Sequence, residues 1–113
     1  MADTITFDDF LNVDIRSGKI IKAESYPEAR KPAYKLQIDF GPDIGIKKSS
    51  AQITENYTCE QLIGKNIMAV VNFPPRQIGK FMSEVLVLGF YDQNKNVELV
   101  THSNNVKPGQ QLM

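Results

Sequence analysis

The residue types that could carry out catalysis are few in this chain and are widely spaced. The single histidine, His102, stands between two hydroxyl residues near the end of the chain, and a lone histidine in a polar turn is typical of a solvated side chain. Nucleophilic catalysis needs a Ser, Thr or Cys activated by a neighbouring base, and no such pairing is indicated. Cys59 has no second ligand at zinc spacing, so we interpret it as a packing thiol.

Phosphate-binding loops and metal-binding loops are also not indicated. Residues 41–45 lack the third glycine of a dinucleotide-binding turn, and residues 64–66 lack the hydroxyl and upstream glycine of a P-loop. Asp14, Asp39 and Asp43 do not have the spacing of a calcium loop. The sequence therefore predicts a binding protein, with no enzymatic activity, no catalytic residue, no metal and no cofactor.

Cationic side chains on predicted loops are the candidates for binding chemistry. Arg76 and Lys80 lie in a segment that Pro74 and Pro75 stiffen, between two apolar stretches. Arginine offers a planar fork and lysine a point charge to phosphate oxygens, although solvated surface ends are the alternative. The predicted RNA-binding residues are Arg30, Lys31, Lys35, Arg76, Lys80, Ser83 and Glu84. For Ser83 a bond to the backbone, and for Glu84 an ion pair with Arg16, are alternative structural roles.

Two apolar sets predict contacts with other chains. The first lies on the proline-containing loop and predicts a polypeptide-binding surface, a dimer contact or simple packing onto the body of the domain: Phe73, Pro74, Ile78, Phe81 and Met82. The second lies at the two ends of the chain, where a small domain has little other structure to cover it: Phe7, Phe10, Leu11, Leu112 and Met113. We expect this second set to form a homodimer interface.

Composition and charge limit the class of protein. The 113 residues predict one domain, 1–113, with 42% hydrophobic and 23% charged residues, which is ordinary for a globular chain. The 13 basic residues balance the 13 acidic ones, but eight of the basic residues fall between Arg16 and Lys48. A single cysteine, the lack of a secretory signal at the N-terminus and the lack of a membrane-length apolar run predict a cytoplasmic protein without membrane insertion.

Hydrophobic periodicity predicts mainly short strands. Thr6 predicts the cap of a short helix, and residues 13–23 predict a strand whose apolar phase changes at Gly18, where we expect a bulge or a sharp coil. Further strands are predicted at residues 34–40, 45–51, 68–73, 85–90 and 97–100, with a turn at 41–43. Residues 54–63 predict a short helix or helical turns ended by Gly64, and the prolines at 74 and 75 predict a loop that stays out of the sheet.

This order of elements predicts an all-β fold with short helices. A helix inserted after the third strand is the arrangement of the OB fold, a five-stranded barrel, here with N- and C-terminal extensions. A flattened sandwich is the structural alternative.

Several segments, taken together, resemble one family. Residues 14–20 resemble the opening strand of the tRNA-binding domain found at the C-terminus of some methionyl-tRNA synthetases, in EMAP-II-like cytokine precursors and in free-standing tRNA-binding proteins. Residues 26–36 resemble the segment that follows it, although the loop at residues 30–32 is longer and lacks an aspartate. Residues 49–53, 70–76 and 83–88 are more narrowly similar to the CsaA-type chaperones of protein export.

The resemblance implies a function as well as a fold. It implies an OB-fold homodimer that binds tRNA by its folded shape and backbone, and, in the CsaA-type branch, unfolded precursor polypeptides and the export machinery. A dimer whose main ligand is polypeptide, or one that serves as a platform for other proteins, is the alternative.

Overall fold

The computed structural model describes all residues from 1 to 113. The nine strands are β1 (Ile15–Ser25), β2 (Tyr34–Asp39), β3 (Ile46–Ala51), β4 (Asn66–Val70), β5 (Arg76–Ile78), β6 (Phe81–Ser83), β7 (Leu86–Val87), β8 (Gly89–Tyr91) and β9 (Val97–Leu99). The three short helices are α1 (Phe7–Leu11), α2 (Gly41–Ile44) and α3 (Cys59–Leu62). No helix is long and apolar enough to cross a membrane.

The central feature is a five-stranded antiparallel sheet in the order β3-β2-β1-β4-β7, which curls into a nearly closed barrel. The first half of β1 pairs with β4 and the second half pairs with β2, so this one long strand connects the β2–β3 side of the sheet with the β4–β7 side. Helix α3 lies between β3 and β4 in the chain. The all-β, OB-like barrel expected from the sequence is therefore confirmed.

The bulge in β1 lies elsewhere than predicted. The register with β2 shifts between Ile20 and Lys22, so the unpaired residue is Ile21, three positions after Gly18. Gly18 has a different function, because a Cβ there would lie 2.7 Å from the Ile38 side chain and 2.8 Å from the Phe40 ring. Glycine at this position allows the backbone of β1 to pack directly on core side chains.

The core fills the barrel with side chains from the alternating positions of its strands. Leu36 and Ile38 of β2 are fully buried, while the residues between and beside them are partly exposed, as the period-two pattern predicts. Leu62 of α3 is also fully buried and packs into the same cluster. Removing such a side chain would cost about 2–5 kcal/mol of folding free energy.

Several predicted elements differ in extent from the observed ones. The helix or helical turns predicted over residues 54–63 are a turn at 54–56 followed by α3, which Thr58 caps. The strand predicted over 85–90 is interrupted at Leu88, which divides it into β7 and β8, and the turn at 41–43 is the single helical turn α2. By contrast, Thr6 forms the predicted capping box of α1 with Asp9.

The segment after the prolines is a hairpin, although the sequence predicted an unpaired loop. Strands β5 and β6 form a separate two-stranded sheet joined by a turn at Gly79. The prolines keep residues 74 and 75 out of any ladder, but they do not prevent pairing one residue later. The hairpin is docked on the barrel through Tyr26, whose hydroxyl donates to the carbonyl oxygen of Ile78 at 2.5 Å.

The C-terminal extension adds backbone to the start of β1. The N–H of Ser17 donates to the carbonyl oxygen of Gln110, and the N–H of Leu112 donates to that of Ile15, both over 2.8–2.9 Å. Arg16 forms the only ion pair of the molecule, with Asp14 at 2.7 Å, and donates from Nη1 to the carbonyl oxygen of Gly109. These bonds place the C-terminal end of the chain beside β1.

Candidate nucleic-acid interface

An open groove of about 990 Å³ lies where the two small hairpins meet the barrel. It is lined by Lys31, by the end of β3, by parts of the segments 73–78 and 83–87, and by the β8–β9 hairpin. Its floor is apolar and includes Val85, Val87 and Leu99. The groove therefore combines buried apolar residues with an exposed lining of both cationic and apolar side chains, and such a mixture is common in binding sites.

The cations at this groove are free of acidic partners. Lys31 and Arg76, both predicted from the sequence, line the groove and are exposed. Lys95 also lines it, from the turn of the β8–β9 hairpin, where its φ of 63° is the only positive value outside glycine. No carboxylate lies within 4 Å of these three side chains. They are therefore available to an anionic ligand.

The other predicted cations lie outside the groove. Arg30 lines a smaller depression of about 490 Å³ with Pro27 and Pro32, and Lys80 is exposed in the turn of the β5–β6 hairpin. Lys35 lies on β2, with its ammonium nitrogen 5.2 Å from the centroid of the Tyr26 ring. The structure thus brings Lys31 and Arg76 to one groove and distributes the rest around it.

Ser83 and Glu84 are hydrogen-bonded to strand β3. The hydroxyl of Ser83 accepts from the N–H of Ser50 at 3.0 Å, and Glu84 Oε1 accepts from the N–H of Lys48 at 2.9 Å. The expected ion pair between Glu84 and Arg16 is wrong, because Arg16 pairs with its chain neighbour Asp14. Both side chains therefore bond to the free edge of β3 and help to close the barrel. For Ser83 this is the bond to the backbone that the sequence offered as the alternative to RNA binding.

The apolar residues of the predicted polypeptide surface divide into two groups. Phe73, Pro74 and Ile78 line the groove, and Phe73 has half of its surface exposed. Phe81 and Met82 do not line it. Phe81 is half-buried against Tyr26, with ring centroids 5.8 Å apart.

The sequence predicted strands in the region of the β8–β9 hairpin, but it did not indicate that this hairpin lines the binding groove. Tyr91 lines the groove with 78% of its surface exposed. The hairpin is fixed by Asn56, whose side-chain amide donates to Asp92 Oδ2 and to the carbonyl oxygen of Val97, each at 3.0 Å. The strand pattern at β9 was the sequence feature that indicated this hairpin, but it could not show that Asn56 holds the hairpin in place.

A tyrosine under the hairpin completes this anchor. The hydroxyl of Tyr57 accepts from the N–H of Leu99 at 2.9 Å and donates to Glu98 Oε2 at 3.2 Å. Burial raises the pKa of Tyr57, with the Glu98 carboxylate adding to the shift. Burial similarly raises the pKa of Tyr34, whose hydroxyl donates to the carbonyl oxygen of Tyr57. Both phenols therefore stay protonated and can act as donors at neutral pH.

The lone histidine is less solvated than predicted. His102 is half-buried, its Nδ1 lies 2.8 Å from the carbonyl oxygen of Ser103, and its Nε2 is buried without a hydrogen-bond partner. The reason is that Asn66 fixes this segment by donating to the carbonyl oxygen of His102 and to Asn104. Cys59 is partly buried, and no three His, Cys, Asp or Glu side chains are grouped closely enough to hold a metal ion.

The apolar residues of the two chain ends are mostly exposed. Phe7 has 69% of its surface exposed, Leu11 and Leu112 are also exposed, and Phe10 is half-buried. Because α1 leads directly into β1 and the tail pairs with β1, these residues flank the same strand.

Fold and groove together define a small β-barrel binding domain, and the comparisons with known proteins identify its class. Residues 15–111 match the family model described as "Putative tRNA binding domain". The chain belongs to this family of tRNA-binding domains.

Two solved structures are similar over nearly the whole chain. The CsaA chaperone protein of Picrophilus torridus is 52% identical, with a TM-score of 0.90 over 97% of this chain and 100% of that one. The CsaA chaperone of Bacillus anthracis is 46% identical, with a TM-score of 0.90 over 98% of this chain and 100% of that one. The resemblance to CsaA-type chaperones is therefore confirmed.

A curated relative shows the same domain within a longer protein. A methionine–tRNA ligase of Porphyromonas gingivalis is 32% identical over 112 residues, which are 99% of this chain and 16% of the ligase. The chain thus spans about one sixth of the length of this relative.

Proposed function

We propose that this chain is a non-enzymatic, cytoplasmic protein that dimerises and binds folded tRNA through its shape and phosphate backbone. Residues 1–113 act as a single domain in this proposal. The observation that carries it is the groove rim, where Lys31, Arg76 and Lys95 have no acidic partner within 4 Å. Membership in the tRNA-binding domain family supports tRNA as the polyanion.

The rim residues suit backbone contacts better than base reading. Lys31 comes from the loop between β1 and β2, Arg76 is the first residue of β5, and both are exposed, so they can reach phosphates along a curved surface. Each phosphate that a cation neutralises releases counterions, so binding should weaken steeply with salt.

The test is filter binding of bulk tRNA to charge-removing variants of the rim. Arg76→Gln and Lys31→Gln should each weaken binding roughly three- to tenfold near physiological salt. Lys107→Gln is the matched control, because Lys107 is exposed and does not line the groove. Equal affinities for all three variants and the unchanged chain would contradict the proposed site.

A second candidate function is the binding of unfolded polypeptides, including export precursors. The favouring observation is the exposed apolar surface inside the groove, where Phe73 and Leu86 each have half of their area exposed. Similarity to two CsaA chaperones supports this candidate. Phe73→Asp should then abolish suppression of client aggregation, while Ile46→Asp, an exposed residue outside the groove, should not. Full activity of Phe73→Asp would exclude the groove as the polypeptide site.

A further inference from the structure

Two lysines from adjacent strands share one aromatic ring. The ammonium nitrogens of Lys35 on β2 and Lys48 on β3 lie 5.9 Å and 5.3 Å from the centroid of the Phe81 ring. Tyr26 packs beside Phe81, and Lys35 also lies 5.2 Å from its ring centroid. All three side chains around Phe81 come from different elements, so this arrangement depends on the fold and not on a local sequence motif.

Neither lysine of this cluster forms a salt bridge. Neither ammonium group has a carboxylate oxygen within 4 Å, since the only such pair in the molecule joins Arg16 and Asp14. The acid bonded nearest to Lys48 is Glu84, and its Oε1 accepts from the main-chain N–H of Lys48. The ring faces attract both cations, but two like charges beside one ring also repel each other. An anion between them would relieve that repulsion.

The geometry points to a phosphate-binding site formed by Lys35 and Lys48, with Phe81 and Tyr26 as the platform that holds the two ammonium groups. Each lysine supplies three donors and a compact positive charge, which suits the non-bridging oxygens of a phosphodiester. The site rests on the proposed function, because it takes the phosphodiester from the backbone of the bound RNA. Lys48 is absent from the residues that the sequence predicted for RNA binding.

The position of the cluster connects it with the groove. Glu84 and Ser50 line the groove, and Glu84 accepts a hydrogen bond from the main chain of Lys48, so Lys48 is directly bonded to a residue of the groove. An RNA backbone that crosses Arg76 can therefore continue over β3 to Lys48. In this proposal Phe81 packs on Tyr26 and lies beneath two cations.

The test compares charge removal at neighbouring positions of one strand. Fluorescence anisotropy measures bulk tRNA binding by Lys48→Gln, Lys35→Gln and the control Lys47→Gln. Lys47 has the same charge and also lies on β3, but strand alternation directs it to the opposite face. We expect Lys48→Gln and Lys35→Gln to weaken binding roughly three- to tenfold and to reduce the salt slope by about one, with Lys47→Gln within about twofold of the unchanged chain.

Two further variants separate a charge effect from a folding effect. Lys48→Arg keeps the charge and should retain binding within about twofold, while Lys48→Gln should unfold thermally at close to the temperature of the unchanged chain, because the lost attraction to the ring and the removed repulsion oppose each other. Phe81→Leu keeps an apolar side chain but removes the ring face, and it should weaken tRNA binding as Lys48→Gln does.

The outcomes distinguish this site from the proposed function as a whole. If the unchanged chain does not bind tRNA, the proposed function fails. If it binds tRNA but Lys48→Gln behaves like Lys47→Gln, only the lysine-pair site fails. Loss of binding to polyglutamate in Lys48→Gln, with tRNA binding intact, would also overturn the site, because the ligand would then be an acidic polypeptide.

Discussion

Lys48 and Glu84 are joined by two hydrogen bonds that close the barrel. The main-chain N–H of Lys48 donates to Glu84 Oε1 at 2.9 Å, and the N–H of Glu84 donates to the carbonyl oxygen of Lys48 at 2.8 Å. The first bond comes from a side chain, so a single substitution can remove it while the second remains. This pair continues the sheet where β3 has no regular strand partner.

We expect Glu84→Ala to lower the free energy of unfolding by about 1–2 kcal/mol, because the N–H of Lys48 loses its charged acceptor. Glu84→Gln keeps an acceptor oxygen and should cost less. Urea denaturation followed by circular dichroism measures both. Glu28→Ala is the control, since Glu28 is exposed and makes no hydrogen bond. Equal stability of Glu84→Ala and Glu28→Ala would show that the bond contributes nothing.

Gly79 allows the β5–β6 hairpin to dock on the barrel. Its φ is 61°, and a Cβ there would lie 2.6 Å from the hydroxyl oxygen of Tyr26. Gly79→Ala should therefore destabilise the fold by about 1–2 kcal/mol more than Gly64→Ala. Gly64 is a matched control, because its φ is 85° and a Cβ there would meet nothing within 4 Å. Thermal unfolding of the two variants checks this, and equal losses would contradict it.

Acid should loosen the β8–β9 hairpin. The donated hydrogen bond from Asn56, and those from the N–H groups of Asn96 and Asn94, lower the pKa of Asp92 below its ordinary value of 3.8. A lowered pKa means that the carboxylate contributes stability above the ordinary value, which is lost as pH falls through the lowered one. Carbon-13 NMR titration of the Asp92 carboxyl should give a pKa below 3.8, and in Asn56→Ala a higher one. An unchanged pKa in Asn56→Ala would contradict this assignment.

The chain ends should hold two copies together. Leu11→Asp places a charge among the exposed apolar residues that flank β1, and we expect it to convert a dimer into a monomer. Ile63→Asp is the control, since Ile63 is exposed to a similar extent but follows α3. Sedimentation velocity at micromolar concentration measures the change. A monomeric unchanged chain, or a dimer that survives Leu11→Asp, would contradict this interface.

Sequence predicted those features that depend on nearby residues. The capping box of Thr6 and Asp9 spans three residues, and the alternation in β2 is contained within one strand, so both were predictable. The bulge of β1 was misplaced because the constraint on Gly18 comes from Ile38 and Phe40, which meet it only in the folded barrel. Family resemblance supplied the fold, because local patterns alone left a sandwich open.

The sequence predicted which surface carries the candidate binding site, but it did not predict the side-chain contacts that form that surface. Basic loops around residues 31 and 76 were expected, and both line the groove, although their binding to RNA stays a prediction. The β5–β6 hairpin was missed because its anchor, the bond between Tyr26 and Ile78, joins residues 52 positions apart. Lys48 was missed for the same reason, since its position over Phe81 depends on how that hairpin docks.

The most direct test is equilibrium binding of the unchanged chain to folded tRNA and to an unstructured RNA of equal length, measured at several salt concentrations. We expect tighter binding to the folded tRNA, and a logarithmic affinity that falls linearly with the logarithm of salt with a slope of several units. Equal affinity for both RNAs, or affinity that does not change with salt, would contradict recognition of tRNA by shape and phosphate charge.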